Sequence, residues 1–382
     1  MRKRINLLRE FSVPLAAGVI TALVWANLWP DQYRAFVEQP FLEGLSLHFV
    51  VNELFMVLFF GIAAAEITQS CLPGGDLNPL RKAVNPLLAT LGGVIGPIAV
   101  YLGLNAVIGD PVLTRGWGIP TATDIALAWL VARLVFGAGH PAVSFLLLLA
   151  VADDAIGLAI IAIFYPDPNH PTEPIWLLLT AVGIVAAYIL RSARAKSYWP
   201  YVLLGGGLSW TGLFLAHLHP ALALVFIIPF LPHPPKETAH LFEDDPGDTS
   251  PLARFEHDWK IVVDFGLFLF GLANAGVKFS SMGPATWLVL TALLAGKTAG
   301  IFAMGSLGKL LGFPLPDRVG PRELILTGLV AGMGLTVAIF VAGVAFVEPD
   351  IQGSAKMGAL FSAGGAVLAL ILGRVLKVKR IH

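Results

Sequence analysis

Charge is scarce in this chain. Only 13% of its 382 residues are Asp, Glu, Lys or Arg, and 56% are hydrophobic. A soluble domain carries about 25% charged residues, so an ordinary water-soluble globule is excluded. Neither sign is in excess: 25 Lys and Arg face 25 Asp and Glu. A chain with no basic surplus offers nothing to nucleic acid. Cysteine is nearly missing as well. Cys71 stands alone, which rules out a disulfide within the chain and a thiolate metal site. Low-complexity tracts and direct repeats are absent. The basic start (Arg2, Lys3, Arg4, Arg9) followed by apolar residues from Val13 has the outline of a secretory signal. The apolar part runs on to Trp29 without a small-residue cleavage site, so a retained first helix is expected.

Apolar runs of membrane-spanning length are abundant. They cover 11–29, 48–68, 83–107, 112–137, 140–165, 173–191, 198–215, 217–231, 257–280, 284–308, 322–347 and 353–376. Spanning segments satisfy their backbone groups internally, so these are helices. The expectation is an all-α polytopic membrane protein of about 12 transmembrane helices, one integral domain over 1–382. With the N-terminus inside, one set of loops carries most of the Lys and Arg. The other holds Arg34, Arg115, Lys278 and Lys356. The bias places both termini in the cytoplasm. The long polar connection 232–256 then reads as a cytoplasmic linker.

Two runs break the helical pattern. Pro120, Thr121 and Thr123 interrupt the fourth span, and Gly328, Gly332, Gly334 and Thr336 the eleventh. Proline removes a backbone donor and glycine accepts unusual dihedrals. Broken helices at membrane depth survive where they line a cavity or lie within protein. Two interrupted spans, one in each half, point to a transporter binding site. Half-helix ends at the bilayer centre carry partial charges. Asp124 can offset the positive ends and Lys297 the negative ones.

Four charged residues lie deep: Asp124, Asp153, Asp154 and Lys297. Each Asp at the bilayer centre costs about 2.5–3.5 kcal/mol to insert. Neighbours on a helix point about 100° apart, so one of the Asp153–Asp154 pair can face Lys297 while the other faces a water-filled space. A partly desolvated carboxylate takes up a proton or a small hard cation. Competition of the two at one site, with alternating access, gives exchange. Blander roles stand beside these. Lys297 can be a structural counter-charge, Thr123 can back-bond within its helix, and Asp124 can cap helix ends without touching an ion. Other functions stay open at this point. A sodium-coupled symporter of an organic anion needs a larger polar cavity. An intramembrane aspartyl protease needs two acids from different helices sharing a proton. A passive channel would move ions without proton coupling.

The stretches Thr123–Ala128, Ala152–Asp154 with Gly157, Leu272–Val277, Gly296–Lys297 and Gly332–Phe340 together resemble the NhaA family of sodium/proton antiporters. The likeness runs from about residue 48 to 372 in the family's order. It implies inverted-topology repeats at 83–165 and 284–376, with two broken helices crossing at mid-membrane, and interface helices at 11–68 and 173–280. It implies a bacterial-type inner membrane and a role in pH homeostasis. The implied activity is exchange of cytoplasmic Na+ or Li+ for external H+, electrogenic, with more protons than sodium ions per cycle. No cofactor beyond the transported ions is implied, and the resemblance implies a transporter and not an enzyme. Carried onto this chain, the pattern makes Asp154 the principal cation and proton carboxylate and Asp153 the partner of Lys297. Na+ would sit at Asp154, Asp153 and Thr123, with Asp124 beside the crossing. His219 and Glu66 take the places of pH-sensing groups. For His219 the plainer reading is an interfacial histidine. The chain departs from the pattern at 61–68, where Glu66 remains but the family's basic residues do not. The connection 30–47 is shorter than the hairpin through which the family forms homodimers. Asp264 is an unexpected acid in the ninth span.

Overall fold

The computed structural model describes residues 13–42, 44–72, 80–166, 170–233 and 250–381. The basic N-terminal residues and most of the 232–256 connection lie outside the described residues. All regular structure among the described residues is helical, and the one β contact is an isolated bridge between Leu42 and Leu45.

In chain order the helices are α1 (Val13–Leu28), α2 (Pro30–Glu38), α3 (Leu47–Cys71), α4 (Leu80–Ile108), α5 (Leu113–Thr121), α6 (Ile125–Phe136), α7 (Pro141–Phe164), α8 (Pro174–Ser192), α9 (Tyr201–Leu215) and α10 (Pro220–Phe230). They continue with α11 (Pro251–Asn274), α12 (Pro284–Leu310), α13 (Pro321–Ala331), α14 (Thr336–Ala345) and α15 (Pro349–Val375). Each expected span has a helical counterpart. The pairs α5–α6 and α13–α14 are the broken spans, bent by 53° and 51°.

Three expectations need correction. The run 217–231 is not an α-helical span but two short 3-10 turns, because Pro220 and Pro229 interrupt the backbone pattern. The ninth span begins at Pro251 and ends at Asn274, six residues earlier at each end than the hydropathy suggests. Ser250 caps it by accepting from the Ala253 amide (3.3 Å), and Pro251 occupies the first helical position. Lys356 is not a loop residue. It lies within α15 and is 6% exposed.

The order long helix, broken helix, long helix occurs twice: α4, α5–α6, α7 and α12, α13–α14, α15. The long helices α4 and α12 form the closest seam. Gly92 and Gly96 meet Gly300 and Gly296 backbone to backbone, and a Cβ on Gly92 would overlap the Gly300 carbonyl. Small residues allow such approach where apolar burial gives no drive for association in lipid. Elsewhere α1 packs on α11 by the same device, Gly18 against the Phe268 backbone. Large apolar side chains such as Ile20, Val107, Ile163 and Val375 are left exposed on the outer surface, as lipid contact requires.

Candidate functional site

The two breaks touch. The Asp124 amide donates to the Met333 carbonyl (2.8 Å), and the Thr123 hydroxyl donates to the Ala331 carbonyl (2.9 Å). The Asp124 carboxylate serves both helix starts. Oδ1 accepts from the Leu127 amide at the start of α6 (3.0 Å). Oδ2 accepts from the Thr336 hydroxyl (2.8 Å) and amide (3.4 Å) at the start of α14. One negative charge thus faces two positive helix N-termini.

Lys297 serves the opposite polarity. Its Nζ donates to the Thr121 carbonyl at the end of α5 (2.7 Å) and to Asp153 Oδ2 (2.5 Å). Asp153 Oδ2 also lies 2.8 Å from the Thr123 hydroxyl, whose single proton is shared between it and the Ala331 carbonyl. Lys297 and Asp153 are both fully buried. A π-helical stretch at 292–296 sits immediately before Lys297. Such an extra residue in a turn rotates the downstream side chains and recurs at functional sites. Here it brings Lys297 toward the crossing while Gly296 keeps α12 against α4.

Asp154 points elsewhere, as a neighbour 100° around the helix must. It lines a narrow, otherwise apolar crevice with Phe59, Phe60, Ala63, Leu158 and Val337. Its Oδ1 is buried and without a hydrogen-bond partner among the described residues. A carboxylate oxygen in that setting lacks the compensation that buried charge demands. Carboxylate, hydroxyl and carbonyl oxygens are the donors gathered here, and such hard ligands suit small hard cations.

The structure therefore brings together Thr123, Asp124, Asp153 and Lys297, with Asp154 adjacent. His219 is two aromatic rings from the Asp154 crevice. It packs edge-on against Phe340 (6.0 Å), which packs against Phe60 (5.3 Å). Glu66 belongs to a second cluster near the end of α3. Lys260 of α11 lies 3.7 Å from Glu66 and 3.3 Å from Glu256, and Gln69 donates to Glu256 (2.6 Å). The basic residue missing from 61–68 is thus supplied from another helix. Sequence reasoning passes over Lys260 because it is hidden in an apolar span. It also passes over Ser362. The Ser362 hydroxyl accepts from the Gly334 amide (3.1 Å) and donates to the Ala359 carbonyl (2.6 Å), which pins the second break. No local signal marks such a serine. Thr336 stands at the end of the glycine-rich run, where a helix start can be read.

A family model described as Na+/H+ antiporter 1 matches residues 7–376. The chain belongs to this family. The Na+/H+ antiporter NhaA of Geobacter metallireducens is 84% identical over 381 residues, covering 100% of both chains. That of Geobacter sulfurreducens is 81% identical over the same length and coverage. NhaA 1 of Pelobacter propionicus is 70% identical, again covering 100% of both chains. Among solved structures, the sodium proton antiporter MjNhaP1 from Methanocaldococcus jannaschii at pH 8 is similar in fold. It has a TM-score of 0.55 at 16% identity and covers 96% of this chain and 92% of that one. As a member of the Na+/H+ antiporter family, the chain is a multi-pass membrane protein of a transporter class.

Proposed function

We propose that this protein exchanges cytoplasmic Na+ or Li+ for external H+ by competition at Asp154. The carrying observation is that Asp153 is paired with Lys297 and Asp124 with two helix starts, while Asp154 has no such counter-charge among the described residues; Oδ1 of both Asp153 and Asp154 is buried without a hydrogen bond. Asp153 is engaged by Lys297 and Thr123, and Asp124 by two helix starts. Asp154 is left to take a proton or a dehydrated cation, and either one neutralises it. Asp153, the neighbouring residue of the helix, and Thr123, bonded to Asp153, contribute oxygens in this reading once the Lys297 contact loosens. Release of Lys297 from Asp153 during the cycle would let Lys297 or Asp153 carry a further proton, making exchange electrogenic with more H+ than Na+ per turn.

In this reading the units 83–165 and 284–376 move against the remaining helices, with both termini cytoplasmic in a bacterial plasma membrane. His219 and Glu66 stand on the approach to Asp154 as pH-responsive groups, and a homodimer is compatible with it. The other functions fit less well. The crevice at Asp154 is narrow and walled by Phe59 and Phe60, which leaves no seat for an organic anion. Asp153 and Asp154 are successive residues of one helix, and Asp153 is committed to Lys297, so they do not form a protease pair.

The test uses purified protein in liposomes with an acid interior, a fluorescent pH reporter and a potassium/valinomycin clamp. Sodium-driven alkalinisation that responds to voltage is expected, with Asp154→Asn abolishing it in a protein that still folds. A sodium response blind to voltage would overturn the electrogenic part. Retained exchange in Asp154→Asn would remove Asp154 from the centre of the mechanism.

A further inference from the structure

Two phenylalanine rings wall one side of the Asp154 crevice. Phe60 of α3 lines it directly, with Ala63 of the same helix, Leu158 of α7 and Val337 of α14. Phe340 stands three residues beyond Val337, nearly one turn along α14. It meets Phe60 edge to face, with ring centroids 5.3 Å apart and planes at 79°. Phe59 packs edge-on against Phe60 (5.4 Å), and His219 does the same to Phe340 (6.0 Å). Phe60, Leu158, Val337 and Phe340 are all buried, and the crevice leaves no room for a water molecule.

The run of each helix sets these bulky groups to one side of Asp154. Helix α3 is regular from Met56 to Cys71, so Phe60, Ala63 and Glu66 follow at intervals of nearly one turn. In the orientation proposed above, α3 runs inward from Phe60 to Glu66. Helices α7 and α14 run outward, from Asp154 to Leu158 and from Val337 to Phe340. Three helices thus place a large apolar side chain outward of the site. On the inward side the same face of α3 offers the methyl group of Ala63 and then the Glu66–Lys260 pair.

The ring contact also crosses the seam of motion. Phe340 lies in the unit 284–376, whereas Phe59 and Phe60 belong to α3, among the remaining helices. The interlocked glycines Gly92 and Gly300 lie within the moving units. An edge-to-face pair adds only modestly to burial and has no hydrogen bond to break, so it can part and re-form in every cycle.

We propose that Phe60 and Phe340 form the external gate of the exchange: their contact closes Asp154 to the outer face in this structure, and the rings must part before an external proton or Na+ reaches it. A dry apolar constriction stops a hydrated ion, and it also interrupts the file of water along which a proton would pass. One pair of rings therefore bars both substrates, as coupled exchange demands. This inference rests on the exchange reading above.

The test starts from Cys71→Ser, which removes the one cysteine of the chain. Val337→Cys is added as a reporter in the crevice. Its reaction with a membrane-impermeant maleimide is timed from each face in vesicles of known sidedness. Phe340→Ala and Phe60→Ala should each speed labelling from the outer face by about tenfold, with the inner rate little changed, and Phe340→Leu should fall between. A role in packing alone predicts an equal rise from both faces, or none, and either result overturns the proposal. A second arm combines Phe60→Cys with Phe340→Cys and bridges the pair with a short bis-methanethiosulfonate. Sodium-driven exchange should be lost on bridging and return on reduction. Bridged protein, verified by mass, that exchanges at the unbridged rate would equally overturn the gate. Should the alanine variants fail to fold, Phe340→Leu and the bridged pair still decide the matter. Absence of exchange in the wild type would sink the exchange reading itself, and the labelling arm, which needs no transport, reads the gate independently.

Discussion

The two broken helices bend by nearly the same angle, 53° and 51°, and are built from opposite materials. The first break, at 122–124, carries side-chain chemistry. Thr123 and Asp124 reach across to the second helix, and the end of α5 is met by Lys297. The second break, at 332–335, carries almost none. Gly332 and Gly334 supply room, and a Cβ on Gly332 would come 2.5 Å from the Leu293 carbonyl. The bonds that fix it come from outside: Asp124, Thr123 and Ser362. A crossing of two half-helix pairs needs its four exposed ends compensated, and one charged break with one lysine does this for both. The partner can then be given over to close packing.

That division of labour can be broken at either partner. The largest loss is expected from Lys297→Met, which strands the Asp153 carboxylate and the Thr121 carbonyl in a dry interior. Breaking one side of a buried pair costs about 3–5 kcal/mol, read as a drop in the midpoint of thermal unfolding in detergent. Adding Asp153→Asn to Lys297→Met should recover part of that loss. A double variant no more stable than the single one would mean that Lys297 acts on the helix end and not through Asp153. Next comes Asp124→Ala, which removes the acceptor at both helix starts. Two caps at about 1 kcal/mol each and an orphaned Thr336 hydroxyl give about 2–4 kcal/mol. Asp124→Asn should retain about half of the stability lost, because an amide oxygen still caps but brings no charge.

Gly332→Ala probes the packed partner, and overfilling a tight backbone contact costs about 1–3 kcal/mol. If Gly332→Ala cost more than Asp124→Ala, steric fit and not charge compensation would be the main constraint on the crossing. Ser362→Ala is the mildest. One hydrogen bond to the Gly334 amide is worth about 1 kcal/mol, and its readout is a small shift in unfolding midpoint with exchange retained.

Much of this is legible in the chain because it is local. Pro120 and the glycines at 332 and 334 announce the breaks by removing donors and side chains at known positions, whereas Gly328, expected to interrupt the same span, lies within α13 against the Thr298 backbone. The depth of Asp153, Asp154 and Lys297 follows from helical rise along uninterrupted apolar runs. Hydropathy misplaces the start of α11 because Pro251–Glu256, with Arg254 and Glu256, reads as the end of the polar connection. The cap at Ser250 and the pairing of Glu256 with Lys260 carry these residues into the helix. Lys356 is misplaced for the same reason, since a charge near a span's edge looks like a loop until its neighbours are known.

The sequence by itself determined that the chain enters a membrane as helices, that two of them break, and that a few charges must be matched at depth. Those outcomes depend on composition, spacing and backbone chemistry within single segments. Only the tertiary structure decided which acid meets Lys297 and which is left without that counter-charge. It decided that one Asp124 would serve two helices, and that a serine and a lysine from distant segments would complete the arrangement. Each of these choices depends on how helices are rotated against one another. That rotation is fixed by packing contacts such as Gly92 on Gly300, made between residues far apart in the chain.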